Sequence, residues 1–225
     1  MNINGILLVD KAAGSTSFYL VSLLRRLTQI EKIGHAGTLD PFATGLMVML
    51  IGKEYTRLSE EFLSSDKGYR ATLQLGIATD TYDLEGKITS RSDQVPTLKE
   101  MEQALALFRG DILQIPPMYS AKKIGGKKLY DLARKGVTIE RQPVKVHVQI
   151  ALIEYRYPML TIEVSCSKGT YIRSLAHDIG HFLGCGAHLF ELTRIRSGSF
   201  SLEECIPQSH LKNREFDLSP HLRKR

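Results

Sequence analysis

Apolar and polar positions along this chain follow two different periods, and the switches between them predict a mixed fold. Gly5 to Val9 is a short unbroken apolar run closed by Asp10, which predicts a buried strand. Ser15 or Ser17 then caps a helix whose Leu20, Val21, Leu24 and Leu27 recur at helical spacing. Gly34 to Pro41 follows neither period and is expected as a loop. Leu46 to Ile51 is continuously apolar, and Tyr55, Leu58 and Phe62 mark a short amphipathic helix ending near Ser64. Tyr69 to Leu75 alternates with period two, as a strand with one face on a core does, and Tyr69 opens it.

The second half repeats the mixture. Thr97 with Glu100 forms a capping-box start for a helix bearing Leu98, Met101, Leu105 and Phe108 on one face. Pro116-Pro117 breaks that pattern. Met118 to Gly136 carries Gly125-Gly126 and a short helix over Leu129 to Arg134 stopped by Gly136, an excursion from the sheet. Val146 to Ile153 and Leu160 to Ser165 alternate as strands joined through Tyr157-Pro158, a hairpin pattern. Gly169-Thr170 opens a helix with Ile172, Leu175, Ala176, Ile179 and Leu183 apolar, and Ala187 to Ile195 returns as a strand. Helices scattered among mostly antiparallel strands predict an α+β fold rather than a doubly wound parallel sheet.

Size and charge narrow the function. At 225 residues and 43% hydrophobic the chain buries a substantial core, which excludes disorder. The net charge of +6 and a pI near 9.2 favour a polyanionic partner. Between Lys122 and Lys145 lie Lys122, Lys123, Lys127, Lys128, Arg134, Lys135, Arg141 and Lys145 against Asp131 and Glu140, so this one stretch carries +6 and the rest of the chain is neutral. Cys166, Cys185 and Cys205 form no C-x-x-C pair, which suits a reducing, cytoplasmic address. No apolar stretch reaches the roughly 20 residues of a bilayer span, and no signal peptide is expected.

By itself Asp40 followed by Pro41 reads as a helix-capping turn. Its setting changes that. The run Gly34-His35-Ala36-Gly37-Thr38-Leu39-Asp40-Pro41-Phe42-Ala43-Thr44-Gly45-Leu46 closely resembles the signature of the TruB family of tRNA pseudouridine synthases. The resemblance continues, in family order, at Asp66 to Arg70, Gly76 to Gly86, Pro117 to Ala121, Cys166 to Arg173 and Leu183 to His188, covering about Gly5 to Ile195. It implies the pseudouridine synthase fold, a mixed and mostly antiparallel sheet flanked by helices. It also implies a catalytic domain over 1–205, with a basic thumb-like RNA-binding insertion at about 117–145. Residues 206–225 then remain as a short tail, without the C-terminal PUA-type domain that family members commonly carry.

The activity implied is isomerisation of the T-loop uridine of tRNA, position 55, to pseudouridine, without cofactor or metal. The aspartate in the family's place is Asp40, which attacks C1′ or C6 or helps remove a ribose proton. Burial against a base raises a carboxyl pKa, so a cation is needed, and the resemblance assigns that part to Arg173 as a salt-bridge partner. Tyr69 stacks on the base; Tyr171, Leu192, Lys67 and Lys168 complete the substrate contacts; His35 contacts the rearranged RNA loop after the base is flipped. Lys122, Lys123, Lys127 and Lys128 meet phosphates. The partner expected is tRNA, through its T stem-loop, with no obligatory protein partner, no membrane and a monomeric enzyme. One departure stands near the start, where the family usually reads Asp-Lys-Pro and this chain has Asp10-Lys11-Ala12.

Two other readings compete. His177-Asp178-Ile179-Gly180-His181 imitates the H-E-x-x-H of zinc hydrolases, with His188 or Cys185 as a third ligand, but the pair is also explained as the polar face of a helix. An RNA-binding module with a vestigial pocket needs the basic stretch but has no use for Asp40, Tyr69 and Arg173 together.

Overall fold

The computed structural model describes residues 3–120 and 122–224. Ala121, from the Pro117 to Ala121 block, and the side chain of Lys128 lie outside the described residues. In chain order the elements are β1 (Gly5–Lys11), α1 (Ser17–Thr28), β2 (Ile33–Ala36), β3 (Thr44–Ile51), α2 (Lys53–Thr56), α3 (Ser59–Ser64) and β4 (Lys67–Leu75). There follow β5 (Ile77–Thr79), β6 (Ile88–Arg91), α4 (Leu98–Leu107), β7 (Gly110–Gln114), β8 (Lys123–Ile124), β9 (Lys127–Lys128) and α5 (Leu129–Ala133). The chain closes with β10 (Val144–Arg156), β11 (Met159–Cys166), α6 (Ile172–Phe182), β12 (Ala187–Ser197), β13 (Phe200–Ser201) and β14 (Ile206–Pro207). The class is α+β.

These elements form two compact units, one of residues 1–69 and 192–225, the other of residues 70–191. In the first, β1 runs antiparallel to β3 along its full length, from Gly5 opposite Ile51 to Lys11 opposite Gly45. Two strands share the other edge of β3: β2 pairs antiparallel with Val48 to Ile51, and β12 pairs parallel at Thr44 and Gly45. All of Leu46 to Ile51 is buried, as expected of a strand covered on both faces. One face carries Ile6, Leu8, Leu46, Val48, Leu50 and Tyr55, with Leu58, Phe62 and Phe200 packed on them.

The structure corrects several expectations in this unit. Gly34 to Ala36 is not loop but part of β2, because the edge of β3 supplies hydrogen-bond partners that a four-residue segment does not advertise in sequence. Helix α1 is capped by Thr16, whose side chain accepts from the Tyr19 N–H; neither Ser15 nor Ser17 takes that part. Ser17 is drawn inward instead, to the backbone of Leu39. The helix expected around Tyr55 to Ser64 is two short pieces, and β4 starts at Lys67 rather than Tyr69. The short C-terminal stretch after Ile206 packs back on β1. Its β14 pairs parallel with β1, and Ile6 and Arg223 exchange backbone hydrogen bonds at 3.0 and 2.9 Å.

In the second unit the strand order is β4-β11-β10-β7, with β10 antiparallel to both neighbours. The predicted capping box on α4 is present: the Thr97 hydroxyl accepts from the Glu100 N–H, and the Glu100 carboxylate accepts from the Thr97 N–H at 2.7 Å. The hairpin of β10 and β11 turns at Tyr157-Pro158. The basic stretch is an excursion as expected, a small two-stranded piece of β8 and β9 followed by α5 and ended by Gly136 at φ +72°.

Helix α6 is buried along most of its length, and its Gly180 is required by packing. A Cβ there meets the Ala187 backbone nitrogen at 2.2 Å. Glycine to alanine inside a helix ordinarily stabilises by about 1 kcal/mol. Here Gly180→Ala is expected to do the opposite, lowering the chemical-denaturation midpoint by an amount equivalent to about 2 kcal/mol or more, as overpacked cores do. An unchanged or raised midpoint would show that the α6 to β12 turn yields freely.

Candidate functional site

Asp40 sits in the seven-residue loop between β2 and β3, which has no regular structure of its own and is fastened on both sides of the carboxylate. On one side Ser17 receives the Leu39 N–H at 2.9 Å and donates to the Leu39 carbonyl at 3.1 Å. On the other, the Pro41 carbonyl accepts from the Gly14 N–H at 2.9 Å and from Lys11 Nζ at 3.2 Å. The Asp40 carbonyl takes the Ala43 N–H at 3.1 Å, closing the turn. Leu39 is 4% exposed and pins the loop to the core.

Beneath the loop lies Arg194 of β12, 1% exposed. Its Nε donates to the Leu46 carbonyl at 2.7 Å and its Nη2 to the Gly37 carbonyl at 3.2 Å, so one guanidinium joins both ends of the loop. Glycine is required at Gly45, where φ is +102° and a Cβ meets the Arg194 carbonyl oxygen at 2.4 Å. Lys11 is wholly buried, and besides Pro41 its ammonium donates to the carbonyls of Ala12 and Ser15 at 3.0 and 2.8 Å. Burying a cation is costly unless its donors are met, and carbonyls meet them here.

The other site residues of this unit follow from the same strands. His35 lies on β2 opposite Met49, half-buried; burial, and next the charge of Arg194, push its pKa down. Lys67 and Tyr69 open β4 and are both buried, the Lys67 ammonium donating to the carbonyls of Phe62 and Ser65. Leu192 on β12 is 7% exposed.

In the second unit Arg173 lies in the first turn of α6 and is buried, not the surface arginine such a position usually holds. Its Nη2 donates to the Tyr119 carbonyl at 2.6 Å, and its Nη1 to the Thr81 carbonyl at 3.2 Å and to Asp83 Oδ2 at 3.3 Å. Asp83 is itself held by the Thr81 hydroxyl at 2.6 Å and the Glu85 N–H at 3.1 Å. Tyr171, just before α6, is read by the Gln114 amide, which donates to its carbonyl at 3.0 Å and accepts its N–H at 2.8 Å. Lys168 is exposed, as are Lys123 and Lys127, while Lys122 is partly buried. The Lys128 backbone belongs to β9.

Sequence reasoning missed Lys11, Ser17, Arg194, Asp83 and Gln114 as parts of these arrangements. Asp83 lies within the Gly76 to Gly86 stretch and Lys11 within the Asp10-Lys11-Ala12 departure. Arg194 carried no local signal at all. The zinc-like helix reads differently in three dimensions: the His177 ring stacks on Tyr82 at 3.9 Å, and among the described residues no three His, Cys, Asp or Glu side chains gather as metal ligands.

Comparison with known proteins identifies the family. A family model for the N-terminal domain of TruB family pseudouridylate synthases matches residues 25–172, and one for the tRNA pseudouridylate synthase B C-terminal domain matches 173–222. The chain belongs to the TruB family of pseudouridylate synthases. It is 58% identical over 221 residues to the tRNA pseudouridine synthase B of Chlamydia muridarum (strain MoPn / Nigg), covering 98% of this chain and 92% of that one. It is 46% identical to the protein of the same name from Francisella philomiragia, covering 96% of this chain and 72% of that one. Among solved structures it is similar to a chain of a Cbf5-Nop10-Gar1 complex, with a TM-score of 0.72 and 31% identity over 92% of this chain. A chain of an H/ACA RNP bound to a substrate RNA containing 2′-deoxyuridine gives a TM-score of 0.70 at 27% identity. This chain spans just over half the length of those solved chains, 53% and 57%.

One titration in the second unit has a testable consequence. Burial pushes the Asp178 carboxyl from its ordinary 3.8 up to about 6, against the opposing charge of His181. A carboxyl with a raised folded-state pKa favours the folded protein below its unfolded value, and that contribution is lost as pH rises through the folded value. Asp178→Asn is therefore expected to raise Tm relative to the parent above about 6, with the difference vanishing below 3.8. A difference that is constant across this range in a thermal-melt series would refute the assignment.

Proposed function

We propose that this protein is a tRNA pseudouridine synthase that isomerises the T-loop uridine at position 55, with Asp40 as the carboxylate that carries the chemistry. The observation that bears most weight is the 58% identity, over nearly the whole chain, to a protein named tRNA pseudouridine synthase B. The Gly34 to Leu46 run containing Asp40 supports the residue assignment. In the reaction the N1–C1′ bond breaks, the uracil turns, and C5 bonds to C1′; C5 gives up its proton and N1 gains one, so the formula is unchanged. A carboxylate serves by attack on C1′ or C6, or by assisting removal of a ribose proton, and each route requires it ionised.

To Arg173 we assign the charge that keeps Asp40 ionised, and to Tyr69 the face on which the flipped base stacks. Tyr171, Leu192, Lys67 and Lys168 form the remaining substrate contacts, and His35 meets the RNA loop from which the base has left. The burial of Tyr69 and Leu192 on strands supports their reading as rigid walls. We further propose that the enzyme acts as a monomer in the cytoplasm without an obligatory protein partner. Among the described residues, no helix is long and apolar enough to cross a membrane.

The decisive variant is Asp40→Asn, which keeps shape and removes the charge. It should bind tRNA with nearly the parent affinity and form no pseudouridine, and full activity would falsify the mechanism. Arg173→Lys should be almost as damaging, since a point charge does not replace a planar fork. Mapping pseudouridine in tRNA from a strain lacking the gene tests the target: a T loop left as uridine supports position 55, and a loss elsewhere replaces it.

The basic excursion makes a separate prediction. Replacing Lys122, Lys123 and Lys127 together with glutamine should weaken binding to all tRNAs alike. It should also make the slope of log affinity against log salt shallower by about 2 to 3, roughly 0.7 to 0.9 per phosphate contact. A parallel line at lower affinity would place the phosphate contacts on other residues.

A further inference from the structure

The turn after β1 holds the Asp40 loop, yet it has little with which to hold itself. Ala12, Ala13 and Gly14 are exposed, carry at most a methyl group, and contribute no side-chain anchor. Even so, the Gly14 N–H and the carbonyls of Ala12 and Ser15, which receive Lys11 Nζ, must stay in place for Pro41 to be held from both directions. Within the turn the Ser15 hydroxyl lies 3.0 Å from the Ala12 carbonyl; a further anchor comes from nearly two hundred residues away. Gln208, 5% exposed, places its Oε1 3.0 Å from the Ala12 N–H nitrogen and 3.0 Å from the Ser15 hydroxyl. It reaches there because β14 pairs in parallel with β1, Val9 opposite Ile206 and Asp10 opposite Pro207, so Gln208 is delivered at the point where β1 ends.

We propose that Gln208 is a positioning residue for the Asp40 loop, acting through the Ala12 to Ser15 turn. The proposal rests on the reading of Asp40 as the reacting carboxylate. Proline stiffens a turn by fixing φ but has no N–H to offer; alanine leaves the turn loose but supplies the N–H that Gln208 accepts. Rigidity built into the backbone and rigidity supplied by a glutamine from the C-terminal segment are alternative solutions to one requirement. Lys11, as the last residue of β1, already has the extended conformation that a following proline demands.

The test is a two-by-two set in the full chain: parent, Gln208→Met, Ala12→Pro and the double variant. Gln208→Met keeps the volume and removes the acceptor. Amide exchange at Gly14 and Ala43, which bond to Pro41 and Asp40, should quicken about tenfold in Gln208→Met, the scale of one lost hydrogen bond. Its kcat for pseudouridine formation should fall by a similar, about tenfold, factor with tRNA affinity unchanged, because misplacement of a reacting group acts on the chemical step. Ala12→Pro in that background should restore both exchange protection and kcat to within about threefold of the parent, a compensation of roughly 0.7 kcal/mol precision. Unchanged exchange in Gln208→Met overturns the proposal, as does a fall in kcat that Ala12→Pro leaves in place. If the parent protein makes no pseudouridine, the functional reading fails, and the exchange measurements still decide whether Gln208 holds the loop.

Discussion

The first unit depends on holding a carboxylate still on a loop that has no secondary structure. Two buried cations do this by giving their N–H groups to backbone carbonyls. Arg194 ties Gly37 to Leu46 across the mouth of the loop, and Lys11 ties Pro41 to the turn after β1. Each is buried almost completely, and a cation so buried destabilises the fold unless its donors are satisfied. The loop carbonyls and the cations therefore stabilise one another, and neither arrangement survives without the other. The strand register is part of the same constraint. Arg194 lies opposite Gly45 in the parallel pairing of β12 with β3, and a slip of one residue would turn its side chain to the other face. Gly45 has no alternative, since any side chain there runs into the Arg194 backbone.

The second unit uses the same physics with an added anion. Arg173 donates to two carbonyls, those of Tyr119 and Thr81, and to the carboxylate of Asp83. Asp83 is oriented in turn by a hydroxyl and a backbone N–H, so the ion pair is hydrogen-bonded on both sides, the condition under which a buried pair is tolerated. The helix that carries Arg173 is pinned at its start by Gln114, whose amide mimics a peptide group and pairs with Tyr171 as a neighbouring strand would. A guanidinium fixed by its own neighbours has few orientations left, which is how a long, flexible side chain becomes a precise part.

Much of this was legible from sequence where the cause is local. The capping box at Thr97, the apolar run of β3, the hairpin of β10 and β11 and the glycine-stopped helix in the basic stretch all follow from residues within a few positions of one another. Ile33 to Ala36 was not legible as a strand because four residues, one of them glycine, show no period, and the edge of β3 decides the matter. Ser17 looked like a cap because serine usually is one near a helix start; its partner, Leu39, is 22 residues away. Arg194 and Gln208 escaped for the same reason, since strand pairing brings them to their partners, and Asp83 because Arg173 lies 90 residues away on a helix. Asp40, proposed to bear the chemistry, stands in an extended motif, while the groups that hold its loop are spread along the whole chain.

The basic excursion differs from both arrangements in how it is attached. The chain's net charge of +6 equals that of the Lys122 to Lys145 stretch, in which Lys123 and Lys127 are exposed and Leu129 is the buried anchor. The excursion returns to the body of its unit through the Tyr130 N–H, which donates to the Ser120 carbonyl at 3.0 Å. The preceding carbonyl, that of Tyr119, is the one that receives Arg173. Adjacent carbonyls thus serve the start of α5 and the buried guanidinium. The basic excursion proposed to meet the polyanion and the arginine proposed for the chemistry are thus held by one short piece of backbone, Tyr119 and Ser120.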